Sequence, residues 1–167
     1  MSKLLRHFSD GQIYFITMVT YRRRSILITH HHLFWESLMK YMHEMVFRLI
    51  AHVELPDHTH MIIDPCKCNL SSIIQKVKLS FSKKVSYALH RDCGRIWQSR
   101  FWDHMIRDQD DMNRHIDYIH YNPVKHDYAD SPCDWRFSSF REYQEEGYYA
   151  PDWGTAGVPV LDGKYGE

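Results

Sequence analysis

The sequence lacks several features that would assign it to a special class of protein. No apolar run is long enough to span a membrane, and the first residues lack the apolar segment of a secretory signal, so we expect a cytoplasmic protein with no membrane partner. The four cysteines form no C-x-x-C pair, and without an export signal a disulfide framework is not expected. The formal net charge is +0 with 13 histidines counted as neutral, so overall charge does not indicate a nucleic-acid binder.

The composition indicates one folded domain. Hydrophobic residues make up 44% and aromatic residues 14% of the chain, and 167 residues can bury a substantial core. No internal repeat or low-complexity segment interrupts the sequence.

Hydrophobic periodicity predicts an α+β fold. β-branched and aromatic runs predict strands, and apolar residues at spacings of three and four predict helices. In chain order we predict a strand at 13–20, a helix at 30–44, strands at 46–55 and 58–64, a helix at 71–90, a strand within 96–107 and a helix at 108–122. The first six elements follow the β-α-β-β-α-β order of ferredoxin-like folds, an antiparallel sheet with helices on one face. The last helix and an irregular aromatic tail are added to this plan.

Local signals predict where the helices begin and end. We expect Thr29 to cap the first helix, Asn69 or Ser71 the second, and acidic residues from Asp108 to begin the third. Pro123 should end the third helix, because the residue before a proline is pushed out of helical geometry.

Two histidines stand two residues apart in the third predicted strand. Side chains two apart in a strand point to the same side, so His58 and His60 should project together from one face. Neutral imidazole is a common ligand for divalent cations, and the pair is spaced to share one. The plainer alternative is a pair of ordinary surface or core histidines.

The helix at 108–122 carries a second candidate group. Three of its apolar residues share a face that should be buried: Met112, Ile116 and Ile119. Tyr118, Asn122 and His115 share another face, so Tyr118 should be anchored by the core and still accessible. Tyr118 and Asn122 are neighbours at i and i+4, whereas the equivalent partner of Tyr121 is Lys125, beyond the proline. The alternative is that both tyrosines only pack.

Positive charge is concentrated in two places on this neutral chain. No acidic residue occurs between Leu70 and Arg91. The basic residues that could contact DNA phosphates are Arg22, Arg23, Arg24, Lys76, Lys78, Lys83 and Lys84. An ordinary solvated helix face explains the lysines equally well. The aromatic residues Trp97, Phe101 and Trp102 could stack on unpaired bases or belong to the core.

Taken together, these motifs resemble the REP-associated tyrosine transposases, a branch of the single-tyrosine HUH transposases of bacteria. The His-hydrophobic-His motif of that family matches 55–60, and its tyrosine motif matches 115–126. The stretches 96–104 and 134–140 are also similar to the family. The resemblance covers roughly residues 13–140, so we expect a transposase domain at 1–140 and a C-terminal tail at 141–167 that packs on it.

The resemblance implies a specific chemistry. Tyr118 would be the nucleophile, and His58, His60 and Asn122 would hold Mg²⁺ or Mn²⁺. The enzyme would cleave and rejoin single-stranded, hairpin-containing DNA through a 5′-phosphotyrosine intermediate. It would be a monomer in which Tyr118 acts on DNA bound by its own chain.

Two other functions remain open from the sequence. One is a ferredoxin-like module that grips nucleic acid without cutting it. The other is a metal-dependent hydrolase that uses water in place of the tyrosine. A covalent protein–DNA adduct would distinguish the transposase from both.

Overall fold

A computed structural model describes residues 12–155, 157–159, 161, 163, 165 and 166. The strands are β1 (Tyr14–Val19), β2 (Arg48–Glu54), β3 (His58–Asp64) and β4 (Trp102–Met105). The helices are α1 (His31–Met45), α2 (Leu70–Ala88), α3 (Gln109–Lys125) and α4 (Phe140–Glu145), with 3-10 turns at Tyr21–Arg23 and Pro132–Asp134. Within the described residues, no helix combines the length and the apolar character needed to cross a membrane.

The four strands form one antiparallel sheet in the order β2-β3-β1-β4. This order is that of the predicted ferredoxin-like plan, and the predicted α+β class is confirmed. In the register of β1 and β3, Thr17 lies opposite His60 and Val19 lies opposite His58. The register therefore places the two histidines on a central strand, next to the middle and the end of β1.

Both faces of the sheet are covered. Alternate residues of β1 point to opposite sides, so Ile16 and Met18 pack in one cluster while Phe15 packs in another. The first cluster contains the apolar stripes of α1 and α2. The second contains the apolar residues of α3 and aromatic residues of the C-terminal segment. The prediction of two helices on one face is confirmed, and α3 covers the other face.

The predicted helix starts were partly correct. The Asn69 side chain accepts a hydrogen bond from Ser72 N (3.0 Å) and caps α2, and Asp108 accepts one from Asp111 N (2.8 Å) and caps α3. The prediction for Thr29 was wrong, because α1 begins after His30 and has no side-chain cap.

The prediction that Pro123 ends α3 was also wrong. The helix continues to Lys125, and Asn122 O accepts a hydrogen bond from His126 N (3.1 Å) beyond the proline. Asn122 and Pro123 are both buried, so packing of this last turn outweighs the local preference against helix before proline. Because seven residues make about two helical turns, Lys125 lies on the same side of α3 as Tyr118.

The segment after α3 is more ordered than its sequence indicated. It forms the 3-10 turn at Pro132–Asp134 and the helix α4, where an irregular chain was expected. Tyr143, Tyr149 and Tyr165 pack in the same core cluster as Tyr118. The tail therefore contributes directly to the surroundings of the candidate nucleophile.

Candidate active site

Strand β3 places His58 and His60 on the face that α3 covers. Both side chains are buried, and their ring centroids are 5.0 Å apart. His58 Nδ1 lies 2.6 Å from Asp57 Oδ1, and His60 Nδ1 lies 2.8 Å from Thr17 Oγ1. Each imidazole is thus oriented through Nδ1, as second-shell partners orient metal-binding histidines.

These partners also fix which ring nitrogen carries the proton. The single hydroxyl proton of Thr17 is donated to Tyr165 O (2.6 Å), so Thr17 Oγ1 accepts from His60 Nδ1–H. The carboxylate of Asp57 can only accept, so His58 Nδ1 is also the protonated nitrogen. When each ring is neutral, its lone pair is therefore on Nε2, the atom that a cation would bind.

Hydrogen bonds from two neighbours keep the Asp57 carboxylate ionised, so that it can accept from His58 Nδ1–H. Burial alone would raise the pKa of Asp57, but hydrogen bonds from His58 and Arg23 outweigh it and lower the pKa. Arg23 Nη1 lies 3.1 Å from Asp57 Oδ2. A chain of contacts thus runs from the surface guanidinium to the buried imidazole.

Helix α3 brings Tyr118 to the histidines. The Tyr118 ring centroid lies 5.2 Å from that of His60. Lys125 Nζ donates a hydrogen bond to the Tyr118 hydroxyl (3.0 Å) and lies 4.8 Å from the centre of its ring. A phenol oxygen, an ammonium group and two imidazoles therefore converge on one side of the sheet.

The prediction that Tyr118 is accessible was wrong. Tyr118 is 1% exposed, and the ring of Tyr165 stacks on it with centroids 3.5 Å apart and planes 8° apart. Tyr118 lies in the same core cluster as Met112, Ile116 and Ile119, so the helical pattern of α3 did not separate it from the buried face. What covers it is a residue near the end of the chain, about which the helix carries no information.

Asn122 lies one helical turn after Tyr118 and is fully buried. The side chain of His126 follows, with its ring centroid 5.3 Å from that of His58. The last turns of α3 thus carry polar side chains toward the end of β3 that holds the histidines.

The sequence and the fold are similar to those of known proteins. The family model of IS200-like transposases matches residues 8–122. A REP-associated tyrosine transposase of Escherichia coli is 34% identical over 158 residues, and the match covers 92% of this chain and 91% of the Escherichia coli protein. A protein of Haemophilus influenzae is 34% identical over 166 residues, and the match covers 92% of this chain and 94% of that protein. Its name describes it as a candidate member of the same group. The chain belongs to the REP-associated tyrosine transposases. A solved structure of such a transposase bound to a REP hairpin is 33% identical, with a TM-score of 0.81 over 100% of this chain and 98% of its own. Transposases of this family are DNA-cleaving enzymes.

The transposase contains a second histidine cluster beside the first. One ligand atom from each of His104, Asp111 and His115 lies within 4.8 Å of the others, a spacing that suits a metal ion. The Asp111 carboxylate, however, already accepts from His104 Nε2 (2.8 Å) and from Arg107 N (3.0 Å). Burial alone would raise the pKa of Asp111, but these bonds lower it to about 2. With the Arg107 and Arg114 guanidiniums also beside it, this carboxylate anchors α3 to β4 and is poorly placed to attract another cation.

The basic residues predicted to contact DNA differ in their surroundings. Arg23 pairs with Asp57, Arg24 Nη2 donates to Arg95 O (2.5 Å), and Lys84 pairs with Glu36 (2.6 Å). Lys78 donates to two backbone carbonyls, whereas Lys83 is exposed on α2. The predicted basic set is therefore not one continuous surface of uncommitted cations.

Sequence reasoning missed several residues of the site. Asp57 directly precedes His58, and its carboxylate was a signal that could have been used. Lys125 was set aside because it follows Pro123. Nothing in the sequence connects Thr17 or Tyr165 with the histidines, because only the folded chain brings them together.

Proposed function

We propose that this transposase cleaves and rejoins single-stranded DNA next to a REP-type hairpin, with Tyr118 as the nucleophile. The observation that carries the proposal is the position of Tyr118, with its ring 5.2 Å from His60 and its hydroxyl 3.0 Å from Lys125. The related transposase whose structure contains a REP hairpin supports hairpin DNA as the substrate.

The reaction would be a transesterification. Tyr118 Oη would attack the phosphorus and form a P–O bond as the bond to the 3′ oxygen breaks. The phenol proton is lost to solvent, and the departing 3′ oxygen gains a proton. The products are a 5′-phosphotyrosine on the protein and a free 3′-hydroxyl on the released strand. Attack by a 3′-hydroxyl reverses these bond changes and regenerates Tyr118.

The proposed metal ligands are His58 Nε2, His60 Nε2 and the side-chain oxygen of Asn122. The donor set fits a divalent cation, because both imidazoles are oriented through Nδ1 and lie side by side. Of Mg²⁺ and Mn²⁺, imidazole nitrogens favour Mn²⁺. When bound, the ion would supply Lewis-acid polarisation of the phosphate.

Lys125 would act on the phenol oxygen in both directions of the reaction. Its ammonium holds the hydroxyl in place before attack, and it stabilises negative charge on the same oxygen when the phosphotyrosine bond breaks. Because Tyr118 and His60 are neighbours within one chain, we propose that the enzyme is a monomer acting in cis.

The test is formation of a covalent adduct on labelled single-stranded DNA that contains a hairpin. Wild-type protein with Mn²⁺ should give an adduct that withstands denaturing electrophoresis and maps to Tyr118. Tyr118→Phe removes only the hydroxyl and should give none. Tyr121→Phe is the matched control, since Tyr121 is a buried tyrosine of the same helix that packs toward Trp153.

One observation favours a second candidate function, a module that binds DNA without cutting it. Tyr118 is 1% exposed in the described structure, so DNA cannot reach its hydroxyl unless the covering groups move. Specific hairpin binding by wild-type protein, with no adduct in Mg²⁺ or Mn²⁺, would select this function. An adduct that persists in Tyr118→Phe or maps to Tyr121 would also overturn the assignment of the nucleophile.

A further inference from the structure

The 3-10 turn at Tyr21–Arg23, which follows β1, has an unusual backbone. Arg22 and Arg23 both have positive φ angles, 57° and 50°, in the left-handed region that residues with a Cβ atom rarely adopt. Such residues cost free energy and persist only where the surrounding structure holds them. Strain of this kind is concentrated at functional sites, so the group that this turn positions is a candidate for a functional role.

Backbone hydrogen bonds hold the turn against the loop that precedes β3. Thr20 N donates to Asp57 O (2.8 Å) just before the turn. Leu27 N donates to Pro56 O (3.0 Å) after it, and Arg23 N closes the turn by donating to Thr20 O (3.1 Å). These bonds fix the position of Arg23 relative to Asp57.

The Arg23 guanidinium reaches the histidine pair through one carboxylate. Its Nη1 lies 3.1 Å from Asp57 Oδ2, and Asp57 Oδ1 lies 2.6 Å from His58 Nδ1. Side-chain exposure falls from 47% at Arg23 to 13% at Asp57 and 2% at His58, so this chain of contacts runs from solvent into the core. A carboxylate held at both oxygens cannot rotate freely, so the guanidinium fixes the direction of the bond that orients the imidazole.

Arg22 has the same charge and the same left-handed backbone as Arg23 but different surroundings. Its guanidinium lies 5.3 Å from the ring centre of Tyr21. Among the described residues, the Asp57 carboxylate pairs with Arg23 and His58. Arg23 therefore has a contact within the protein that its neighbour in the same turn does not share.

We propose that Arg23 is a positioning residue for the metal site and that it acts through Asp57 on His58. This inference rests on the proposed function, because it takes His58 as a metal ligand. Arg23 does not touch the cation in this role. It holds the Asp57 carboxylate, the carboxylate holds His58 Nδ1–H, and Nε2 of the same ring is then directed toward the cation.

The sign of the effect on metal binding distinguishes positioning from simple electrostatics. An arginine near a bound cation repels it, so removing the positive charge would by itself strengthen Mn²⁺ binding. Loss of the contact between Arg23 and Asp57 acts in the other direction, because the released carboxylate no longer holds the imidazole in one orientation. Removal of Arg23 should therefore weaken Mn²⁺ binding, and removal of Arg22 should not.

The experiment measures the dissociation constant of Mn²⁺ for the full-length protein without DNA, from the electron paramagnetic resonance signal of the free ion. Arg23→Gly removes the guanidinium and keeps the turn, because glycine adopts positive φ without strain. Arg22→Gly is the matched control, since it removes the same charge from the same turn. Asp57→Ala removes the intermediate group, and His58→Ala identifies the binding that belongs to the proposed site.

Arg23→Gly should weaken the Mn²⁺ binding that depends on His58 by about two- to fivefold, the range expected from an exposed ion pair. Asp57→Ala should weaken it by about tenfold to one hundredfold. In the Asp57→Ala background, Arg23→Gly should add no further loss, because Arg23 acts through that carboxylate. Arg23→Lys keeps a cation in the turn and should recover part of the loss.

Three results would overturn the proposal: unchanged or tighter binding in Arg23→Gly, an equal loss in Arg22→Gly, or an undiminished effect of Arg23→Gly in the Asp57→Ala background. Wild-type protein that binds no Mn²⁺ through His58 would contradict the proposed metal site itself, and this inference would fail with it. The assay thus distinguishes failure of the positioning role from failure of the metal site.

Discussion

Lys125→Met provides a direct test of how the tyrosine is supported. Lys125 Nζ donates to the Tyr118 hydroxyl at 3.0 Å and lies over its ring. Methionine keeps an unbranched side chain of similar length and a good helix propensity, but it removes the positive charge and the donor. The substitution should therefore leave α3 intact and change the chemistry at the phenol oxygen.

The size of the effect follows from the contact. A hydrogen bond to a charged group contributes about 1.5–3 kcal/mol, and each 1.36 kcal/mol in a barrier is tenfold in rate. Lys125 is an exposed residue, so water screens its charge and the lower end applies. We expect cleavage to slow about tenfold. Rejoining should slow by a similar factor, because the same oxygen is then the leaving group.

The assay is single-turnover cleavage of labelled hairpin DNA at saturating protein, with adduct measured over time. Lys125→Arg should lose less activity than Lys125→Met, because it keeps the charge. Lys83→Met is the control, since it removes an exposed lysine from α2, on the far side of the sheet. The reasoning would be refuted if Lys125→Met cleaved at the wild-type rate, or if Lys83→Met lost as much at saturation.

Further predictions concern the histidine pair, Tyr165 and Asp117. His58→Ala and His60→Ala should each abolish cleavage without unfolding the protein. If the enzyme acts in cis, a mixture of the His60→Ala and Tyr118→Phe variants should not form the adduct. Tyr165→Ala keeps the carbonyl that Thr17 uses and removes the stacked ring, so adduct formation should rise about two- to tenfold in a time course; an unchanged rate would contradict this. Burial raises the pKa of Asp117 from 3.8 to about 6, so the stability linked to its protonation is fully present below about pH 4 and is lost as pH rises through 6. Asp117→Asn should therefore raise the free energy of unfolding near pH 7.5 by up to about 3 kcal/mol. Urea titrations should also show that the free energy of unfolding varies less with pH between about pH 5 and 7.5 than in wild type. An undiminished pH dependence in the variant would contradict the role of Asp117.

The sheet and the histidine pair were predictable because they depend on short-range patterns. Alternation in β1 and β3 specifies which residues share a face, and His58 and His60 needed only the period of two to be placed together. The apolar stripe of α2 and the cap at Asn69 are equally local. Such features survive in the folded protein because tertiary packing reinforces them.

The sequence prediction missed Lys125 because it relied on a local rule that tertiary packing overrides. The preference against helix before proline predicts an end at Asn122, and by itself it is sound. In the folded protein, Asn122 and Pro123 are buried, and the last turn is closed by His126 N. The extra turn is what brings Lys125 to the Tyr118 hydroxyl, so an error of three residues in a helix end concealed a candidate member of the site.

Tyr165 was missed for a different reason, because no local pattern in the sequence connects it to the site. Its ring covers Tyr118, and its backbone carbonyl accepts the hydroxyl proton of Thr17. That bond is what makes Thr17 an acceptor for His60 Nδ1–H, so the covered state also has His60 in the tautomer that the proposed metal site requires. If the whole segment at Tyr165 moved away, Tyr118 would be uncovered and the Thr17 hydroxyl would lose this acceptor at the same time. Truncation of the chain just before Tyr165 would therefore combine a gain in access with a loss of histidine orientation, whereas Tyr165→Ala changes access alone. The two variants should differ in their dependence on metal concentration, with the truncated protein requiring more Mn²⁺ for half-maximal cleavage.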